Sequence, residues 1–433
     1  MKANRRAPFR LAPLFLLLAV VFSLVAPVGV AAAANLPVSQ DTATVDFPTK
    51  LTFHLVADAP QPVVSVETWY HAAYSPVTSV SRAVFSGGTH VDVTNVVDMQ
   101  LNYLPPGVDI DYRWRLTLQD GSVLETPNQT VLYMDTRYKW KTISQDPVTI
   151  YYFPGDESLG KEALDTTIKA INNLKQQFSI TAEEPVRVVL YGSTSDFTSA
   201  LPPNSAEWIG GFAQPDLHLV VTGVQPGSDA TTEIHRVLSH ESVHLIVKQA
   251  TDNPFNTPPP WLDEGLATYY QTVQDPRFPP ILKNAVRSGQ LIPIRALNSS
   301  FPDDPNQALL SYAESESIVQ FILTKQGNDR MSALLHAYQG GVSNDQAVQI
   351  AFGFSLDELD KEWKAWLGYG GDQQVTATVD PSQSGSGPGQ AFGDLMAAYG
   401  PNIVIGVAAL FTVVLGVSLT LRALSAKDEN ESL

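Results

Sequence analysis

Residues 232–248 read TEIHRVLSHESVHLIVK. Ile234, Val237, Leu238, Val243, Ile246 and Val247 recur at helical spacing, which predicts a helix with one apolar side. Residues four apart on a helix lie on the same face, one turn from each other. His240 and His244 therefore offer two imidazoles to one cation, with Glu241 projecting beside them. Zinc suits such a set, since it accepts imidazole nitrogens and carboxylate oxygens and needs no redox chemistry. His235 lies about 140° round the helix from His240, off the metal face, and is expected to pack.

The next stretch, Trp261-Leu262-Asp263-Glu264-Gly265-Leu266-Ala267, supplies a third ligand. Pro254, Pro258, Pro259 and Pro260 interrupt any continuing helix. From Trp261 to Val273 a second helix is expected, with Leu262, Leu266, Tyr269 and Tyr270 as its apolar side. A helix, a Pro-rich return and a second helix bring Glu264 beside His240 and His244. Two histidines and one glutamate leave a fourth position for water, which separates a catalytic zinc site from a structural one. The rival pattern takes its third ligand six residues after the second histidine and needs glycine at 247. Val247 and Ala250 exclude it.

HESVH followed by WLDEGLA resembles the gluzincin metallopeptidases, most closely the branch called peptidase MA-like, over residues 148–367. The resemblance implies a peptide-bond hydrolase with one zinc ion held by His240, His244 and Glu264, and with Glu241 as general base. It implies a catalytic Tyr312, on a downstream helix, as the donor to the oxyanion. It also implies that Gly210–Ala213 or Leu217–Val221 borders the cleft and pairs with an extended substrate. One position departs from the family pattern. Thermolysin-like members carry an aspartate four residues after the ligand glutamate, where it orients the first histidine; here that residue is Thr268, so the partner of His240 is unassigned.

The remaining chain sets the context. Its 433 residues suffice for two domains with appendages. The absence of cysteine excludes disulfides, thiolate ligands and cysteine nucleophiles. A net charge of −17 without a basic stripe argues against nucleic-acid binding. Residues 1–34 read as a signal peptide: a basic lead, an apolar run and a small-residue cleavage site. Residues 35–144 carry seven short β-type runs, including a hairpin at Asp120-Gly121, and predict an immunoglobulin- or fibronectin-like sandwich serving as a spacer. An α+β gluzincin-like domain is expected over 148–370 and a flexible linker over 371–400. Residues 403–421 hold no charge and predict a C-terminal transmembrane helix, with a cytoplasmic tail at 422–433. The whole reading is a single-pass cell-membrane zinc peptidase with an exported catalytic body and a peptide or protein substrate. Two other readings use the same residues: a non-catalytic surface binding or adhesion protein that keeps the fold, and a zinc hydrolase acting on bonds other than amides.

Overall fold

The computed structural model describes residues 36–153, 157–180, 184–202, 211–302 and 304–369. The expected signal peptide, linker, membrane span and tail lie outside these residues.

Seven strands make the N-terminal region: β1 (Val38–Asp46), β2 (Lys50–Ala72), β3 (Ser79–Arg82), β4 (Gly88–Asp98), β5 (Val108–Leu118), β6 (Val123–Glu125) and β7 (Gln129–Tyr133). Strand β2 has 23 residues and is the spine. Its first half pairs with β1 and β4, and its second half with β3 and β5. The register shifts between Asp58 and Val63, around Pro60 and Pro62, which lack the N–H a ladder needs. The sequence presents this strand as two runs because the prolines look like an ending. Gln100–Tyr103, one of the seven β-type runs of the sequence, is not a strand but a turn and bend that follow β4. The Asp120-Gly121 hairpin forms, with Gly121 at φ 84, a conformation that suits glycine.

The second sheet has the order β11-β12-β10-β9-β8, built from β8 (Lys141–Gln145), β9 (Val148–Phe153), β10 (Val186–Tyr191), β11 (Gly211–Gln214) and β12 (Leu219–Gly223). Strands β9, β10 and β12 are parallel, whereas β8 and β11 run antiparallel at the two edges. Side chains alternate across a strand, so each face can serve a different core. Val188, Leu190 and Val220 belong to the helical core, while Val189, Tyr191, Leu219 and Val221 belong to the core of the N-terminal sheet.

The helices are α1 (Glu157–Phe178), α2 (Thr194–Thr198), α3 (Ala230–Thr251), α4 (Pro260–Tyr270), α5 (Phe278–Ser288), α6 (Pro305–Lys325), α7 (Asn328–Gln339), α8 (Asn344–Phe352) and α9 (Leu356–Trp366). Pro260 opens α4, where its missing N–H costs nothing. Ser343 and Gln346 form a capping box on α8. On α9, Ser355 accepts the Glu358 N–H.

One expectation about the fold class is corrected. The expected pair of β-sheets is instead one hydrogen-bonded seven-stranded sheet, because β2 bridges both halves. Its apolar face meets the second sheet: a Cβ on Gly107 would lie 2.6 Å from Val189 Cγ2 and 3.1 Å from Leu219 Cδ1. Arg187 spans the same junction, donating to Gly107 O at 3.0 Å and pairing with Asp109. The N-terminal region thus packs as a layer against the second sheet, not as a detached spacer. Among the described residues no helix is long and apolar enough to cross a membrane, and the expected span at 403–421 lies outside them. The longest, α1 and α3, are interrupted by charged residues such as Lys161, Asp165, Arg236 and Lys248. The described fold is a β-rich N-terminal region followed by an α+β domain.

Candidate metal centre and active site

Helix α3 runs through the middle of the helical core, and its residues 237–247 are all buried. Asn253 shapes the return to α4. Its side chain donates to the carbonyls of Thr251, Asn256 and Tyr338, and accepts from the N–H groups of Phe255 and Asn256. This chain reversal brings Glu264 to the metal face of α3.

Glycines set two close approaches. A Cβ on Gly265 would meet Ser315 O at 2.5 Å, so α4 lies against the backbone of α6. A Cβ on Gly211 would meet Val237 Cγ1 at 2.8 Å, so β11 lies against α3. The first approach places Tyr312, one turn before Ser315, beside Glu264. The second places the edge strand beside Glu241.

His240, His244 and Glu264 converge, each offering one ligand atom within 4.8 Å of the others, and all three are buried. His240 Nε2 lies 3.5 Å from Glu264 Oε2, and His244 Nε2 lies 3.8 Å from the same oxygen. Ligands about 2.0–2.1 Å from a tetrahedral zinc sit about 3.3–3.4 Å apart, so these separations need little adjustment. Among the described residues, the buried atoms His244 Nε2 and Glu241 Oε2 have no hydrogen-bond partner. An unsatisfied buried polar atom costs about 1–3 kcal/mol. The three carboxylates of Glu241, Asp263 and Glu264 around two imidazoles make this a place for a cation. The donor set fits zinc.

The electrostatics agree. Burial opposes the charged form of His244, but Asp263, Glu264 and Glu241 outweigh it and raise the imidazole to about 10. Burial pushes the Glu241 carboxyl above its ordinary value, while His240 and His244 pull it down and Glu264 adds to the rise. The Ala213 N–H of β11 donates to Glu241. Burial, then the charges of Glu264 and Glu241, hold the Tyr312 phenol well above its ordinary value. Tyr312 packs edge-on against Phe301 at 5.0 Å between ring centroids.

All five residues singled out from sequence, His240, Glu241, His244, Glu264 and Tyr312, fall in this one place. Of the two candidate cleft strands, β12 is flanked on both sides by β10 and β11, so of this pair only β11 lies at an edge of the sheet among the described residues. His235 is tied to Glu162 of α1 at 2.5 Å, away from the metal face. His218 packs against Tyr74 in a tilted pair, 4.2 Å between ring centroids, and pairs with Glu184 at 2.7 Å, outside the site.

Two residues of the site had been missed. Asp263 Oδ2 lies 3.0 Å from His244 Nδ1, and Gln271 Oε1 lies 3.2 Å from His240 Nδ1. Thr268 takes no part, as its hydroxyl donates back to Glu264 O at 2.6 Å. Asp263 could have been found, being the acidic neighbour of Glu264 on a helix facing the histidines. Gln271 follows the end of α4 and carries no pattern.

Comparison with known proteins gives one informative match. Residues 166–369 match the model of the Peptidase MA superfamily, which supports the peptidase MA-like resemblance and, at the family level, a peptidase. No curated protein matches the chain. Among solved structures, a catalytically inactive OgpA from Akkermansia muciniphila, in complex with an O-glycopeptide, is 13% identical. That likeness covers 24% of this chain and 30% of that one, with a TM-score of 0.20. The purple acid phosphatase PPD1 from yellow lupin seeds is 9% identical over 42% of this chain and 34% of that one, with a TM-score of 0.18. The polysaccharide deacetylase BC0361 from Bacillus cereus is 10% identical over 59% of this chain and 78% of that one, with a TM-score of 0.19. Overlaps this slight carry no argument about fold or function.

Proposed function

We propose that this protein is a zinc-dependent peptidase in which His240, His244 and Glu264 hold the ion and Glu241 is the general base. The observation that carries the reading is the buried convergence of those three ligands, with the unpartnered Oε2 of Glu241 beside them. A bound zinc ion supplies an activated water and polarises the scissile carbonyl. Glu241, raised by burial, is suited to taking a proton from water and returning it to the leaving amine. Tyr312 stays a phenol across the working range and can donate to the developing oxyanion. The outer edge of β11 offers backbone groups to an extended peptide, which gives affinity with little side-chain preference. Export of this body, as the leader at residues 1–34 suggests, belongs to the same proposal.

The test is metal analysis of the purified protein with peptide-library cleavage, with and without chelator. Chelator-sensitive cleavage that Glu241→Gln abolishes while zinc is retained is the expected result. Glu264→Ala is expected to lose the zinc itself. Zinc without cleavage of any peptide would point to a binding protein, and cleavage of esters alone to another hydrolase.

A further inference from the structure

Orientation of His240 is the unassigned part of this centre, since Thr268 has turned back onto its own helix. We propose that Gln271 is the positioning residue for His240, held in place by a clasp between Thr272 and α3. The inference rests on the zinc reading above and deepens it.

The geometry builds in three steps. The Gln271 N–H closes the end of α4 on Ala267 O at 3.0 Å, and Gln274 Nε2 donates to the Gln271 carbonyl at 2.8 Å, so the backbone at 271 is fixed. The next residue is stitched to the metal helix. The Thr272 N–H donates to Ser239 Oγ at 2.9 Å, and Thr272 Oγ1 donates to His235 O at 3.0 Å. Ser239 Oγ donates in turn to the same His235 carbonyl. Ser239 immediately precedes His240, so the clasp sets the distance between residue 271 and the imidazole.

The chemistry follows from which nitrogen faces the site. His240 Nε2 is turned toward Glu264 and must be free of a proton to ligate. Nδ1 then carries the proton and requires an acceptor, which Gln271 Oε1 provides at 3.2 Å. This bond fixes the ring's rotation and its tautomer, the two things an outer partner of a metal-bound histidine supplies. Gln271 is nearly buried, so water does not readily substitute for it. The two histidines are served unequally: His244 has a carboxylate behind it and His240 a neutral amide.

The experiment measures zinc affinity of the full chain by competition with a chromophoric chelator, alongside thermal melting of the zinc-free protein. Gln271→Leu, close in size but without an acceptor, is expected to weaken zinc binding 10- to 100-fold. Gln271→Glu keeps an acceptor oxygen and is expected to hold zinc at least as tightly as the parent. Thr272→Val loosens the clasp and is expected to fall between. All three should melt within a few degrees of the parent when zinc-free. If Gln271→Leu binds zinc within twofold of the parent, the positioning role is wrong while the zinc reading stands. If the parent itself binds no zinc, both are wrong.

Discussion

Asp263 Oδ2 and His244 Nδ1 meet at 3.0 Å, and the next residue, Glu264, faces the other nitrogen of the same ring at 3.8 Å. One turn of α4 thus addresses both sides of one imidazole. The consequence concerns pH. Without metal, burial disfavours the imidazolium, yet Asp263, Glu264 and Glu241 raise it to about 10. A folded value above the ordinary 6.5 stabilises the metal-free fold fully below about 6.5, and that stabilisation is lost as pH rises through about 10. A cation must displace this proton. Zinc affinity should therefore rise with pH, about tenfold per unit through the neutral range for the one proton released. Asp263→Asn, which removes the charge and keeps an acceptor, should flatten that slope. Asp263→Ala should weaken binding 10- to 100-fold. Chelator competition at pH 6, 7 and 8 measures all of this, and an unchanged slope in Asp263→Asn would show that Asp263 does not set the proton affinity.

Gly265 carries a prediction of opposite sign to the usual helix rule. Alanine in place of a helical glycine ordinarily gains about 1 kcal/mol. Here the added Cβ would sit 2.5 Å from Ser315 O and 2.9 Å from Val319 Cγ2. A backbone oxygen cannot swing aside, so α4 must move off α6, at a cost of about 1–3 kcal/mol. Gly265→Ala should lower the melting temperature of the zinc-free protein. It should also weaken zinc binding, because Glu264 moves with the helix. A variant that melts higher than the parent would mean that the two helices have room to spare.

The metal ligands were legible in the chain because their spacing is a local property of a helix. His240 and His244 need only α3 to be helical, and Glu264 needs only a reversal, which four prolines announce. The partners of the histidines were not legible. Asp263 is read easily as a solvated helix position, and Gln271 is a neutral side chain placed by the clasp of Ser239, Thr272 and the His235 carbonyl, a tertiary event. The N-terminal strands were found in the main, yet the count of seven short runs suggested a sandwich of two sheets, and a single long β2 crossing Pro60 and Pro62 was not foreseen. The docking of that region was invisible for a similar reason. Val186–Tyr191 reads as a strand, but its pattern does not say what covers each face.

That docking makes the α+β domain dependent on the N-terminal region. Val189, Tyr191, Phe197, Phe212, Leu219 and Val221 all pack into the N-terminal core. At about 1.5–3 kcal/mol for each large apolar side chain buried, their sum rivals the 5–15 kcal/mol net stability of an ordinary domain. A chain beginning at Asp146 would expose them as one patch. It should be insoluble or melt cooperatively only at far lower temperature than the parent, and it should hold zinc poorly. Circular dichroism melts of the two chains test this. Gly107→Val, which adds a side chain 2.6 Å from Val189 at a φ of 99, should destabilise in the same direction with the whole chain present. A shortened chain that melts like the parent would return the N-terminal region to the role of a spacer.

Tyr312 can be separated from the ligands by the kind of damage its removal does. Tyr312→Phe keeps the ring against Phe301 and deletes only the hydroxyl. If that hydroxyl donates to the developing oxyanion, its loss should lower kcat by about 10²–10³, leave KM nearly unchanged, and leave zinc affinity within a few-fold. Burial and the neighbouring carboxylates hold the phenol well above its ordinary value, so it does not ionise where the protein would work. Any alkaline fall in activity should therefore persist in the phenylalanine variant. The alternative role is to support Glu264, which Tyr312 also faces. That role predicts the reverse pattern, with zinc affinity lost and the kcat of the fully loaded protein preserved. Steady-state kinetics at saturating zinc distinguish the two, because catalysis and ligation then respond to different hydroxyl partners.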